Sequence, residues 1–431
     1  LSETLKIGVA GLGTVGVGTL QLIEKHYELI AQRCGRPVLV TAVSARDRRK
    51  DRGLDLSAVR WFEDATAMAA DPDIDVVIEL IGGADGPAKE IVEAALSNGK
   101  HVITANKAMI AHHGTELAQR AEQAGVALAC EAAVCGGIPI IKTLREGLAG
   151  NAINGIYGIL NGTSNFILSS MRDTGREFGE VLAEAQKLGY AEADPGFDID
   201  GVDAAHKLAI LTALAYNCEV DFDGVHVEGI RDVTSLDIAF ADELGYRIKL
   251  LGIARLTNGG VEQRVHPCMV RKDAPIANVE GVYNAVVADG DFVGSLLTEG
   301  EGAGAGPTAS AVVADLIDIA RGVRLPTFAV PASVLDRRPS RAMAEHWGGY
   351  YLRLMCVDQS GVIADITAVL RDEDISVESM VQRGRGPAGE AVPIVITTHE
   401  TTEAGMTRAL DRIAALDTVL ESPRLIRIEP L

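Results

Sequence analysis

The chain has 431 residues, 47% hydrophobic and 23% charged, with 40 Lys+Arg against 60 Asp+Glu and a formal net charge of −20. That length suits about three domains with ample material for a core, and the acidic balance argues against a nucleic-acid partner, which needs clustered Lys and Arg. Every long apolar stretch is interrupted by charge, and Leu1-Ser2-Glu3-Thr4 has no basic flank ahead of an apolar run, so a cytoplasmic protein outside any membrane is expected.

Through residues 1–130, short apolar runs at 6–10, 38–43, 75–81, 101–104 and 126–130 alternate with helical patterns at 15–30, 87–97 and 116–123. Buried runs separated by helices predict a parallel, doubly wound α/β sheet covered on both faces. Residues 131–330 mix strands (155–160, 252–257, 262–267, 285–288) with helices (178–188, 202–216, 308–321), which predicts an α+β domain. Residues 331–348 have little periodicity and read as a linker. From 349 to 431 the order is strand 351–356, helix 363–372, strands 375–382 and 391–397, helix 402–416 and strand 424–428. That βαββαβ order predicts a ferredoxin-like unit.

Gly11-Leu12-Gly13-Thr14-Val15-Gly16 follows a strand and opens a helix. The first glycine permits the tight turn, the second lets a pyrophosphate approach, and the third lets helix meet strand. The free N–H groups of the helix start would meet the anion. The second strand runs into Arg46-Asp47-Arg48-Arg49-Lys50-Asp51-Arg52. Either Arg46 pairs a ribose 2′-phosphate, which favours NADP(H), or the run is a solvated loop and NAD(H) serves as well.

Five carboxylates lie between Glu192 and Asp203 (Glu192, Asp194, Asp198, Asp200, Asp203), and Lys207 follows them. Past Asp200, a candidate N-cap, the run Leu208 to Ala215 is apolar all round and predicts a buried helix. Asp203 and Lys207 then share a face. Lys207 is either a buried ammonium, with its pKa lowered toward proton-transfer chemistry, or half of a surface salt bridge. Asn106-Lys107 ends the fourth run at the carboxyl edge of the sheet, where Lys107 could bond a carbonyl oxygen or face solvent. His112 and His113 read as surface residues of the same helix. Glu131 to Pro139 leaves the fifth run through small residues, which suits either an ordinary loop or a hard monovalent cation. The six cysteines are scattered without a C-x-x-C, as for reduced thiols, and Cys135 is the one placed to be considered as a nucleophile.

These segments together resemble homoserine dehydrogenase in its form with a C-terminal ACT domain. The resemblance is carried by GLGTVG at 11–16, TANKA at 104–108, EAAVCGGIP at 131–139, GILNGTSNFIL at 158–168, GYAEADPGFDIDGVDAAHKLAIL at 189–211, GEGAGAGPTASAVVADL at 300–316 and DQSGV at 358–362. With no aspartokinase-like stretch ahead of the glycine turn, it is to the monofunctional type. It implies a Rossmann domain over 1–130, a substrate-binding and dimerisation domain over 131–330 with 308–330 packing back on the first, a linker over 331–348 and an ACT domain over 349–431. It also implies NAD(P)H-dependent reduction of L-aspartate 4-semialdehyde to L-homoserine, serving threonine, methionine and isoleucine synthesis.

By the same resemblance Lys207 and Lys107 are the catalytic pair. Gly11, Gly13, Thr14, Val15, Gly16, Lys107, Gly189 and Gly304 match cofactor positions, with Arg46 added from the basic run. Gly162, Thr163, Tyr190, Glu192, Asp198 and Asp203 match the substrate site, and Glu131 with the carbonyls of Val134, Gly136 and Ile138 matches a sodium site. A homodimer or homotetramer is implied, and an amino-acid effector such as threonine near Asp358 and Gly361. Two alternatives stay open: a semialdehyde dehydrogenase using Cys135, and a non-catalytic sensor of cofactor and amino acid.

Overall fold

The computed structural model describes residues 3–383 and 391–431. β1 (Leu5–Ala10) leads through the glycine turn into α1 (Thr14–Lys25), and α2 (Tyr27–Cys34) follows. The single helix expected over 15–30 is therefore broken at His26, whose φ of −114° leaves the helical range. Then come β2 (Val38–Ser44), β3 (Arg60–Trp61), α3 (Ala65–Ala70), β4 (Val76–Glu79), α4 (Pro87–Ser97), β5 (His101–Thr104), α5 (Lys107–Gln123) and β6 (Leu128–Ala129). The six strands form one parallel sheet in the order β3-β2-β1-β4-β5-β6. The order reverses between β1 and β4, which opens a crevice at their carboxyl ends, where doubly wound sheets bind ligands. Ile7, Val9, Val76, Val77, Val102 and Ile103 are fully buried, as helices on both faces require.

The central part runs through α6 (Ile140–Lys142), β7 (Ile153–Ile159), α7 (Gly162–Thr174), α8 (Phe178–Leu188), the single turn α9 (Gly196–Ile199) and α10 (Val202–Tyr216). It continues with β8 (His226–Val227), α11 (Ser235–Glu243), β9 (Tyr246–Thr257), β10 (Gly260–Arg271), β11 (Tyr283–Gly290), β12 (Gly294–Glu301) and α12 (Ala305–Ala320). Every residue of α10 from Asp203 to Leu214 is buried, because Ala, Leu and Ile occupy all its faces. α7, α11 and β12, and the short α6, α9 and β8, lie outside the expected set. α7 starts on Gly-Thr-Ser-Asn, which reads as a turn, and β12 (GSLLTEGE) has no apolar alternation.

β13 (Trp347–Val357), α13 (Val362–Asp372), β14 (Val377–Gln382), β15 (Ala391–Thr398), β16 (Thr401–Thr402), α14 (Glu403–Ala414) and β17 (Arg424–Glu429) follow the βαββαβ order, with β16 a short addition. Four of these strands lie antiparallel in the order β17-β13-β15-β14. β17 also pairs in parallel with β10, Cys268 opposite Arg427, so one sheet runs β12-β11-β7-β9-β10-β17-β13-β15-β14. The segment before β13 is strapped to the central part: Val261 N–H donates to Pro339 O (3.0 Å) and Arg341 N–H to Val261 O (2.9 Å).

α12 returns to the parallel sheet. Its Val312 and Leu316 share a buried cluster with Leu12, Leu20 and Ile23, and a Cβ at Gly18 of α1 would stand 2.8 Å from Ala305 O. That close approach brings the start of α12 beside the glycine turn's own helix. No helix of the described residues is long and apolar enough to cross a membrane.

Candidate active site

The glycine turn is shaped for close approach. Gly11 has φ +96°, and a Cβ there would stand 2.4 Å from Leu80 O; at Gly16 it would stand 2.0 Å from Gly11 O. A Cβ at Gly13 would meet nothing within 4 Å, so this glycine looks outward into open space. Thr14 and Val15 begin α1, whose N-cap Gly13 offers no side-chain bond, leaving the first N–H groups for an anion. These residues fit the pyrophosphate of a dinucleotide. Arg46 is exposed on the loop after β2. Arg52, the last residue of the basic run, ties that loop to the turn, with Nε donating to Leu12 O (3.2 Å) and Nη2 to Asp47 O (2.6 Å). Gly304 (φ +124°) precedes α12, and Gly189 (φ +78°) ends α8 at the head of the acidic segment.

Asn106 caps α5 by accepting the Met109 N–H (3.1 Å), and its amide donates to Gly83 O (2.7 Å). Lys107 is therefore the first residue of the helix at the carboxyl edge of β5. Its Nζ lies 2.9 Å from Asp203 Oδ1 and 5.5 Å from the Phe197 ring centre. The other oxygen, Asp203 Oδ2, accepts from Lys207 Nζ at 2.8 Å, and Lys207 also donates to Leu160 O at 2.6 Å. Both side chains are nearly closed to solvent, Lys207 at 8% and Asp203 at 5% exposure. An ammonium has three N–H donors, so one on Lys207 remains for a ligand.

Asn161 knits the acidic segment to this pair, donating to Asp203 Oδ2 (2.8 Å) and Asp198 Oδ1 (2.9 Å). Thr163 Oγ1 donates to Tyr190 O (2.7 Å), and Gly162 begins α7 so close to the chain that a Cβ would stand 2.4 Å from Val282 O. Tyr190 is exposed beside the Phe166 ring. Glu192 is exposed, and its carboxylate has no partner among the described residues.

Two expectations are corrected here. Burial pulls the Lys207 pKa down, but the Asp203 carboxylate at contact distance more than offsets it, and the amine is held above its ordinary value. Asp203, against the pull of burial, is held well below the usual carboxylate range by Lys207 and Lys107. Burial and the charge of Asp203 push Asp198 up. Asp200 does not cap α10: Gly201, with φ +84°, takes that place, and Asp200 pairs with Arg231 (Nη2 to Oδ2, 2.9 Å).

His112 is exposed, yet its ring lies against Phe222 and its Nε2 is 3.3 Å from His206 Nε2. His206 stacks on Phe222 and Phe197, and burial followed by the His112 charge pushes its pKa down to about 4. Asn161, Phe197 and His206 were not singled out from sequence. For Asn161 the signal was present, an Asn directly before a small-residue helix start.

Glu131 is buried, and its two oxygens accept the N–H groups of Ile141 (3.0 Å) and Lys142 (2.8 Å). Burial, then Asp315, pushes its pKa up to about 7. The carbonyls of the buried Val134 and Gly136 accept no hydrogen bond among the described residues, while Ile138 O accepts Ile140 N–H (2.7 Å). Unbonded buried carbonyls beside a carboxyl are donors a hard cation could use. Cys135 is buried, and burial pushes its thiol up, while its Sγ accepts from Asn284 Nδ2 (3.4 Å). A buried, protonated thiol is a poor nucleophile, which removes the alternative built on it.

A family model described as Homoserine dehydrogenase matches residues 139–317, its NAD binding domain model matches 11–131, and an ACT domain model matches 350–418. The homoserine dehydrogenase of Pseudomonas aeruginosa is 47% identical over 435 residues, covering 100% of each chain. The crystal structure of a homoserine dehydrogenase from Thiobacillus denitrificans is 47% identical with a TM-score of 0.93, covering 99% of this chain and 98% of that one. A hyperthermophilic archaeal homoserine dehydrogenase in complex with NADPH is 28% identical with a TM-score of 0.63, covering 73% of this chain and 97% of its own. On these matches and the arrangement of its three parts, the chain belongs to the homoserine dehydrogenase family of NAD(P)-dependent oxidoreductases.

Proposed function

We propose that the chain reduces L-aspartate 4-semialdehyde reversibly to L-homoserine with Lys207 as proton donor, a step that would serve threonine, methionine and isoleucine synthesis. The observation that carries the reading is the buried Lys207 ammonium, bonded to Asp203 and Leu160 with one N–H to spare. When bound, a reduced nicotinamide would supply the hydride that the aldehyde carbon takes up. Lys207 gives its proton to the aldehyde oxygen as negative charge grows there, and Asp203 keeps that amine protonated and aimed. Lys107 orients the same oxygen from the sheet side. Glu192, Asp198 and Asp203 are the carboxylates of the substrate site, Glu192 or Asp203 meeting the substrate ammonium, with Gly162, Thr163 and Tyr190 lining the pocket.

Gly11, Gly13, Thr14, Val15 and Gly16 would cradle the dinucleotide, with Lys107, Gly189 and Gly304 completing its site. Arg46 would hold a 2′-phosphate, so NADP(H) is favoured and NAD(H) accepted. Glu131 with the carbonyls of Val134, Gly136 and Ile138 would hold Na+. Asp358 and Gly361, ahead of α13, would receive an amino-acid effector such as threonine, in a cytoplasmic homodimer or homotetramer with units at 1–130, 131–330 and 349–431 joined by 331–348. Consumption of NADPH only when aspartate semialdehyde is supplied supports the enzyme; NADPH binding that never leads to oxidation would instead favour a sensor.

A further inference from the structure

β17 is the last strand of the C-terminal unit, yet it sits between β10 and β13, with Arg427 opposite Cys268 on one side and Tyr350 on the other. Arg427 is 3% exposed. Its guanidinium serves carboxylates from two parts of the chain. Nη1 and Nη2 donate to Glu228 Oε2 and Oε1, both at 2.8 Å. Nε donates to Glu403 Oε2 at 2.9 Å, and Nη2 also reaches Glu403 Oε1. Glu228 accepts a further bond from His226 Nε2 at 2.7 Å. Against the pull of burial, these donors hold the Glu228 carboxyl well below its usual range.

The backbone after Glu228 reaches the candidate active site. Glu228 N–H donates to Val265 O (2.7 Å), and Ile230 N–H donates to Ile199 O (2.9 Å). Between them, a Cβ on Gly229 would stand 2.3 Å from Ile199 O and 2.6 Å from Asp200 Cα. Arg231 then closes its ion pair on Asp200. Segment 228–231 is thus the floor under 198–203, the stretch that carries Asp198 and Asp203.

We propose that Arg427 is a positioning residue for the substrate site: through Glu228 it fixes the floor 228–231 and so the setting of Asp198 and Asp203. The C-terminal unit then completes the active site as well as any regulatory role it has. The proposal rests on the reading that Asp198 and Asp203 bind the amino-acid substrate. A bidentate guanidinium fixes angle as well as distance, which a lysine ammonium does not. Close packing passes a shift of the floor to the residues above it, and small misplacements at a substrate site are costly. The glycine turn that would cradle the dinucleotide lies on the other sheet, so homoserine binding is expected to respond more than cofactor binding.

The test uses full-length Arg427→Met, Arg427→Lys, Glu228→Gln, the Arg427→Met/Glu228→Gln double variant and an Asp198→Asn reference, each oxidising L-homoserine with NADP+. Arg427→Met and Glu228→Gln are expected to raise the KM for homoserine roughly 3- to 30-fold, while the KM for NADP+ stays within about twofold. The double variant is expected to be no worse than the poorer single one, and Arg427→Lys to recover part of the loss. Homoserine KM within about twofold of the parent in both single variants would overturn the proposal, as would losses that simply add or a parallel rise in both KM values. Should Arg427→Met fail to fold, Glu228→Gln, nearly isosteric, carries the test alone. If Asp198→Asn leaves homoserine KM unchanged, the substrate-site reading falls and takes the proposal with it. If Asp198→Asn raises that KM while the Arg427 and Glu228 variants do not, the proposal alone fails.

Discussion

Lys107 Nζ stands 2.9 Å from Asp203 Oδ1, and this contact joins the carboxyl edge of the parallel sheet to the buried helix of the central part. The same carboxylate holds Lys207 with its other oxygen. One acid therefore sets two amines at the crevice that the glycine turn also borders. Asp203→Asn leaves Lys207 buried without its counter-charge. Breaking such a pair costs about 3–5 kcal/mol, and most turnover is expected to go with it. Urea melts of variant and parent measure the first; an unchanged midpoint would mean that Lys207 finds another counter-charge.

The raised pKa of Lys207 fixes a pH response. Its unfolded value is about 10.4, so the stability it adds is fully present below that pH and is lost only as pH climbs through the higher folded value. Reduction needs the charged amine and should hold its rate from about pH 6 to 9. Homoserine oxidation needs the neutral amine, so its kcat should still be rising at about pH 10. A plateau in oxidation already near pH 7 would show the amine lowered instead.

Much of this site was legible in the sequence. An apolar run on every face left α10 no place but the interior, and its observed span, Val202–Tyr216, puts Asp203 and Lys207 together. The direction of the Lys207 shift was not legible, since spacing gives burial but not the 2.8 Å contact that outweighs it. The pairing of β17 with β10 was hidden for another reason. Cys268 and Arg427 lie far apart in the chain, and parallel pairing leaves no local pattern. The cap role of Asn161 was legible, but its bonds to Asp198 and Asp203, like the approach of Lys107 to the Phe197 ring, form only when distant segments close.

Arg46 stands exposed after β2, at the place where an adenosine ribose would end. Arg46→Ala is expected to weaken NADPH roughly tenfold and NADH by less than about twofold, read as Kd from fluorescence titration. Equal losses for both cofactors would make the basic run a solvated loop.

Cys135 is shut in, and burial keeps its thiol protonated. Cys135→Ala should keep kcat for aspartate semialdehyde within about threefold of the parent, the small change reflecting lost packing against Asn284. Loss of all turnover in a folded variant would restore a covalent route through sulfur.

Lys207→Met replaces the ammonium with an uncharged chain of similar reach. Single-turnover reduction of aspartate semialdehyde at saturating NADPH, with the Kd for NADPH measured on the same sample, weighs the role of that amine. The expected result is a rate lower by roughly 10²–10⁴ with cofactor affinity unchanged, as for a missing general acid. A rate within about twofold of the parent would contradict the assignment of the proton to Lys207.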